Sequence, residues 1–154
     1  VMEDNHHEAL TFRKKANNIL PDDEYILLEM VKTQITIGQV DEARKTLEDM
    51  RTTIPYRESV WLLFASLHEQ YGQTDDAIAT LYEGLKIITQ SAKIMYKLAA
   101  YCFIAERSEE AYDRLTDALL LDYSAHELLF VDAPHLENNQ AVRDVIDLYR
   151  NDND

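Results

Sequence analysis

Apolar residues in the middle of the chain fall at helical intervals. Val60, Phe64, Leu67 and Tyr71 share one face of a helix, which Trp61 and His68 widen. Gly72 interrupts the pattern. A second apolar set follows at Ala77, Ile78, Leu81, Leu85 and Ile88. Two amphipathic helices of about four turns, split by a glycine turn, predict a helical hairpin.

The hairpin recurs. The stretch DEARKTL begins at Asp41, DDAIATL at Asp75 and EEAYDRL at Glu109, a spacing of 34 residues each time (75 − 41 and 109 − 75). Four columns keep this register: Ala9, Ala43, Ala77 and Ala111; Glu8, Glu42, Asp76 and Glu110; Gly38 and Gly72; Pro21 and Pro55. A fixed period of this length is the signature of a helical repeat array. Thr74 and Ser108 are expected to cap the second helices. The acids behind them complement the positive end of the helix dipole. Neighbouring carboxylates on a helix point about 100° apart, so these pairs do not converge on one metal ion. The alanines allow a second helix to cross closely, as do Ala65, Ala99, Gly84 and Ala118, and Leu47, Leu81 and Leu115 fill the same interior.

Composition narrows the picture. Three Gly and three Pro are too few for the tight turns of an all-β protein of 154 residues. With 29 acidic residues against 15 basic ones the formal charge is −14, which argues against nucleic acid or an anionic membrane as partner. The lone Cys102 excludes an internal disulfide and a cysteine-based zinc site. No apolar run approaches the roughly 20 residues of a membrane span, and no signal peptide is apparent. We expect a cytoplasmic protein. The chain starts at Val1 rather than Met, which reads as a fragment of a longer protein with room for an upstream signal, anchor or enzyme domain. No phosphate loop, nucleophile elbow or metal-ligand helix occurs, so no catalytic residue, cofactor or metal is assigned. His6 and His7 fit a terminus, His68 a core position, and Cys102 the equivalent core position one period later.

A 34-residue helix–turn–helix unit with these residues resembles the tetratricopeptide repeat. The middle unit, 58–91, matches that pattern at Trp61, Phe64, Ala65, Gly72, Ala77, Leu81 and Gly84. The first, 24–57, offers Leu27, Met30, Val31, Gly38, Ala43, Leu47, Met50 and Pro55, and the third, 92–125, offers Met95, Leu98, Ala99, Ala111, Leu115 and Ala118. The third departs from the pattern at its turn, where Glu106 replaces Gly, so a turn of somewhat different shape is expected. Residues 1–23 look like the second helix and exit of a further repeat, through Ala9, Ala16 and Pro21. Residues 126–154 read as a cap: a short helix from Leu128, an interruption at Pro134, and a final helix through Val142, Val145, Ile146 and Tyr149. The segment VDAPHLENNQAVRDVI is similar to tails of bacterial members.

The resemblance implies an all-α fold, a right-handed α-α superhelix of hairpins whose first helices line a concave face that binds a peptide or helical segment. By phase that face takes Tyr25, Leu28, Lys32 and Ile35 from the first repeat. The second supplies Ser59, Leu62, Leu63, Ser66 and Glu69, and the third Lys93, Tyr96, Lys97, Ala100 and Phe103. Its apolar members suggest a binding surface. Its three lysines could receive an acidic side chain or a C-terminal carboxylate. Lys93 and Lys97 match one pair of the carboxylate clamp of chaperone-binding members, with Lys for Arg at the second. Leu28, Lys32 and Leu63 stand where that clamp needs Lys, Asn and Asn, so a clamp of that type is not expected. The function implied is a non-catalytic protein-interaction scaffold. The alternatives are a structural or self-associating module, through apolar surface at Leu10, Ile19 and Leu20 on the unpartnered half-repeat, or a repeat domain appended to an enzyme or assembly component.

Overall fold

The computed structural model describes residues 24–150. Eight α-helices follow one another: α1 (Glu24–Thr36), α2 (Val40–Thr53), α3 (Glu58–Gln70), α4 (Thr74–Ile87), α5 (Ala92–Ile104), α6 (Ser108–Leu121), α7 (Leu128–Asp132) and α8 (Gln140–Arg150). Two 3₁₀ turns, Tyr123–Ala125 and Pro134–Asn138, flank α7. No strand occurs among the described residues. The chain divides after Val60 into two compact units. The expected half-repeat at 1–23, with His6, His7, Leu10, Ile19 and Leu20, lies outside the described residues.

In the first unit α1 and α2 pack as a hairpin. Its interior is Leu27, Met30, Val31, Ala43, Leu47, Met50 and Ile54, all buried. Gln34 is also fully buried, and its side-chain oxygen accepts a hydrogen bond from Thr46 Oγ1 at 3.0 Å. Glu24 at the start of α1 receives the Tyr56 hydroxyl at 2.9 Å and pairs with Arg57, so both ends of this hairpin are tied together.

In the second unit, Trp61, Ala65, Ala77, Ile78 and Leu81 share one buried cluster with Ile94, Leu98, Tyr101, Cys102 and Ala111. A second cluster joins Tyr96, Ala99, Ala100, Leu115, Ala118 and Leu119 to Leu129, Phe130, Ala133, Leu136, Val142 and Ile146 of the C-terminal elements. The C-terminal elements therefore share one interior with α5 and α6. Pro134 begins a 3₁₀ turn because a proline lacks the N–H that α-helix continuation requires.

The period is written in the backbone. At the three turns, Gly38, Gly72 and Glu106 donate to Ile35, Glu69 and Phe103, at 3.1, 2.9 and 3.1 Å. Gln39, Gln73 and Arg107 donate to Gln34, His68 and Cys102, at 2.8, 2.9 and 2.9 Å. This closes a left-handed helix terminus of the kind glycine favours. Gly38 and Gly72 have φ of 82° and 72°, and Glu106 has φ of 61°. The third turn therefore keeps the shape of the other two, against expectation. Its hydrogen bonds hold Glu106 in a conformation that costs a side-chain-bearing residue roughly 1–2 kcal/mol.

The helix starts also correct the expectation. Thr74 and Ser108 are the first helical residues of α4 and α6, and the cap positions belong to Gln73 and Arg107, with no side-chain cap bond. Ser91 does cap α5, its Oγ accepting from the Ile94 N–H at 3.1 Å, an interaction of about 1 kcal/mol. Tyr71, expected on the apolar face, is exposed beside its turn.

Candidate functional site

The outward faces of the first helices differ more between repeats than their interiors do. In the first unit Tyr25 is 71% exposed, Leu28 is half-buried, and Lys32 is exposed with Glu29 3.5 Å away on its own helix. These three side chains share one face of α1 by their spacing.

In the second unit Leu62, Leu63, Ser66 and Glu69 of α3 are half-buried. Leu62 packs on the α3–α4–α5 cluster, and one carboxylate oxygen of Glu69 is buried without a hydrogen-bond partner. On α5 the expected group separates. Lys93 is exposed. Phe103 is half-buried and meets Tyr112 edge-on, with ring centroids 5.0 Å apart. Tyr96 is fully buried, and its hydroxyl donates to the Asp122 carbonyl at 2.7 Å. Ala100 is fully buried as well. α7 packs on this part of α5, and its Leu129 and Phe130, with Ala133 just beyond its end, lie in the cluster of Tyr96 and Ala100. Tyr96 thus belongs to the interior of the folded chain rather than to an open face.

Lys97 is the centre of this region. Its side chain is only 13% exposed, and its ammonium donates to Asp132 Oδ1 at 2.8 Å, Ser66 Oγ at 3.0 Å and the Tyr101 hydroxyl at 3.3 Å. Those partners come from α7, α3 and α5. Burial pushes the ammonium pKa down, but the hydrogen bond and charge of Asp132, with the Tyr101 oxygen, outweigh it and raise the pKa above the ordinary lysine value. The cation also lies 5.2 Å from the Tyr101 ring centroid. The repeat phase singles out Lys97 but not its counter-ion. One signal exists: Asp132 follows Leu98 by 34 residues (132 − 98), so the repeat period carried past its last full copy puts it on the next first helix.

The remaining candidates are structural. His68 is half-buried, stacks on Phe64 with centroids 4.8 Å apart, and its Nδ1 lies 3.2 Å from Gln73 Oε1. Cys102 is buried, with Sγ 3.6 Å from Glu110 Oε2. Burial, with Glu110 adding to it, pushes the thiol pKa up to about 12, so Cys102 is protonated and unreactive near neutral pH. The Tyr82 hydroxyl donates to the same carboxylate, and burial together with that bond raises its pKa to about 12. Among the described residues no group of three His, Cys, Asp or Glu is disposed to hold a metal ion. No described helix is long and apolar enough to cross a membrane.

No protein-family model matches the sequence, and no curated protein matches it. Solved structures do. One crystal structure of MamA aligns with a TM-score of 0.64 at 17% identity, over 96% of this chain and 86% of that one. A second gives 0.61 at 18% identity, over 96% and 80%. TTC0263, a thermophilic TPR protein of Thermus thermophilus, aligns at 0.59 and 17% identity, over 94% of this chain and 90% of that one. At these identities the likeness is one of fold, and the fold is that of the tetratricopeptide repeat.

Proposed function

We propose that the chain is a non-catalytic protein-interaction scaffold that binds a peptide or helical segment on the faces of its first helices. The observation that carries this reading is the contrast within each hairpin. The interior repeats with a fixed period, while the outward positions vary and combine apolar with cationic side chains: Tyr25, Leu28 and Lys32 on α1, Leu62 on α3, Lys93 and Phe103 on α5. Cations placed on a chain of charge −14 favour a partner carrying an acidic side chain or a free C-terminal carboxylate. The capture of Asp132 by Lys97 is an in-chain example of that chemistry.

Titration of the full chain with a panel of acidic and amphipathic peptides tests the reading. Lys93→Ala with Phe103→Ala is expected to weaken the best ligand by about ten-fold or more, as removal of an apolar anchor and a cation does at interfaces. Unchanged affinity in a double variant of native helix content would remove these residues from the site.

A further inference from the structure

A lysine as enclosed as Lys97 needs a counter-charge. Ser66 and Tyr101 are neutral, so the charge comes from Asp132 alone among the groups bonded to it. The carrier of that charge is unusual. α7 has five residues and stands between two 3₁₀ turns. The chain enters it through three-residue bonds, from Leu129 to His126 and from Phe130 to Glu127, and leaves it through a four-residue bond from Ala133 to Leu129. Such a segment has little helical stability of its own and depends on docking. Its inward side holds Leu129 and Phe130 against the Tyr96 and Ala100 face of α5, while Val131 beside them is 74% exposed. The segment is thus attached through a few apolar anchors, one ion pair and the Arg143 guanidinium, which lies 5.3 Å from the Phe130 ring centroid.

We propose that α7 is an in-chain occupant of a carboxylate-receiving site on α5. Asp132 sits on Lys97 as the carboxylate of a bound peptide would, and Leu129 and Phe130 cover the apolar floor beside it. Release of this segment uncovers Tyr96, Lys97 and Ala100 together, an apolar surface with one cation at its edge, without dismantling the α5–α6 hairpin. The site then accepts an acidic, apolar segment from another chain. This device does not rest on the scaffold reading above, because its opening is measurable without a partner.

Amide hydrogen exchange on the full chain tests it. The amides of Leu129, Phe130 and Ala133 are expected to exchange through an opening that leaves α5 and α6 protected. Asp132→Asn should speed them by about ten- to a hundred-fold, as loss of a partly enclosed ion pair implies, and Lys97→Met should act in the same way. In a second arm the acetylated peptide LLFVDAPHL, copied from residues 128–136, is titrated in trans. It should bind the Asp132→Asn chain about ten-fold more tightly than the wild type, and a peptide with Asn for its Asp should lose that preference. The proposal is overturned if the α7 amides exchange only together with those of α5 and α6 in wild type and Asp132→Asn alike. It is overturned equally if the peptide and its Asn counterpart bind both chains identically.

Discussion

The second hairpin, α3–α4, and the third, α5–α6, share their backbone bonds and differ in what fills and covers them. Trp61 and Gly84 in the second become Met95 and Ala118 in the third (61 + 34 and 84 + 34). A Cβ on Gly84 would lie 2.7 Å from Trp61 Cγ and 3.0 Å from its Cβ, so the large indole is admitted only because the facing residue has no side chain. Where the first helix carries a smaller Met, the second helix carries an Ala. The bulk at the crossing is thus divided differently between the two helices, with the smaller second-helix residue facing the larger first-helix one. Outside, the α3 positions Leu62, Leu63 and Ser66 stay half-buried, whereas the equivalent α5 positions Tyr96, Lys97 and Ala100 meet the chain's own α7. Shared backbone bonds and small residues at the helix crossings make the repeat; the elements stacked against it decide which outer face is open.

Exchanging the two crossings breaks the comparison most severely. Trp61→Ala should cost about 3–5 kcal/mol in denaturant unfolding, the loss expected for a large aromatic in a closed core. Gly84→Ala should cost about 1–2 kcal/mol through overpacking against Trp61, partly offset by better helix propensity. Trp61→Met with Gly84→Ala copies the third crossing into the second, and should be more stable than Gly84→Ala alone. A double variant as unstable as the sum of its parts would show that the volumes are not matched.

Smaller changes address the covered face and the turns. Tyr96→Phe removes the bond to the Asp122 carbonyl and should cost about 1 kcal/mol. Glu106→Gly should stabilise the chain by about 0.5 kcal/mol, because relief of the left-handed backbone exceeds the entropy that glycine adds to the unfolded state. The same exchange at Gly72, to Glu, should destabilise. A thiol reagent at neutral pH should leave native Cys102 unmodified and label it on unfolding, as expected for a buried thiol with a pKa raised to about 12.

Much of this is legible in the sequence. The spacing of Ala43, Ala77 and Ala111 sets the hairpins, and Gly84 stands among the small residues that let a second helix cross closely. Two local readings fail for physical reasons. Glu106 suggests a changed turn, but the bonds from Glu106 to Phe103 and from Arg107 to Cys102 impose the shape whatever the residue. Thr74 and Ser108 suggest caps one position too late, because Gln73 and Arg107 occupy the cap sites with backbone groups alone. The largest departure concerns Tyr96 and Lys97. Their phase on α5 follows from the repeat, yet what lies against that face is set by the docking of α7, and no local pattern announces an ion pair between residues 97 and 132.

A double-mutant cycle on Lys97→Met and Asp132→Asn, followed by denaturant unfolding, tests most directly whether this pair closes the α5 face. Each single change leaves an enclosed partner without its counter-charge and should destabilise by about 2–4 kcal/mol. The double variant should be less damaged than the sum, with a coupling of about 1 kcal/mol or more. Additivity within about 0.3–0.5 kcal/mol would mean that the two charges do not sense each other in solution, and would contradict the account.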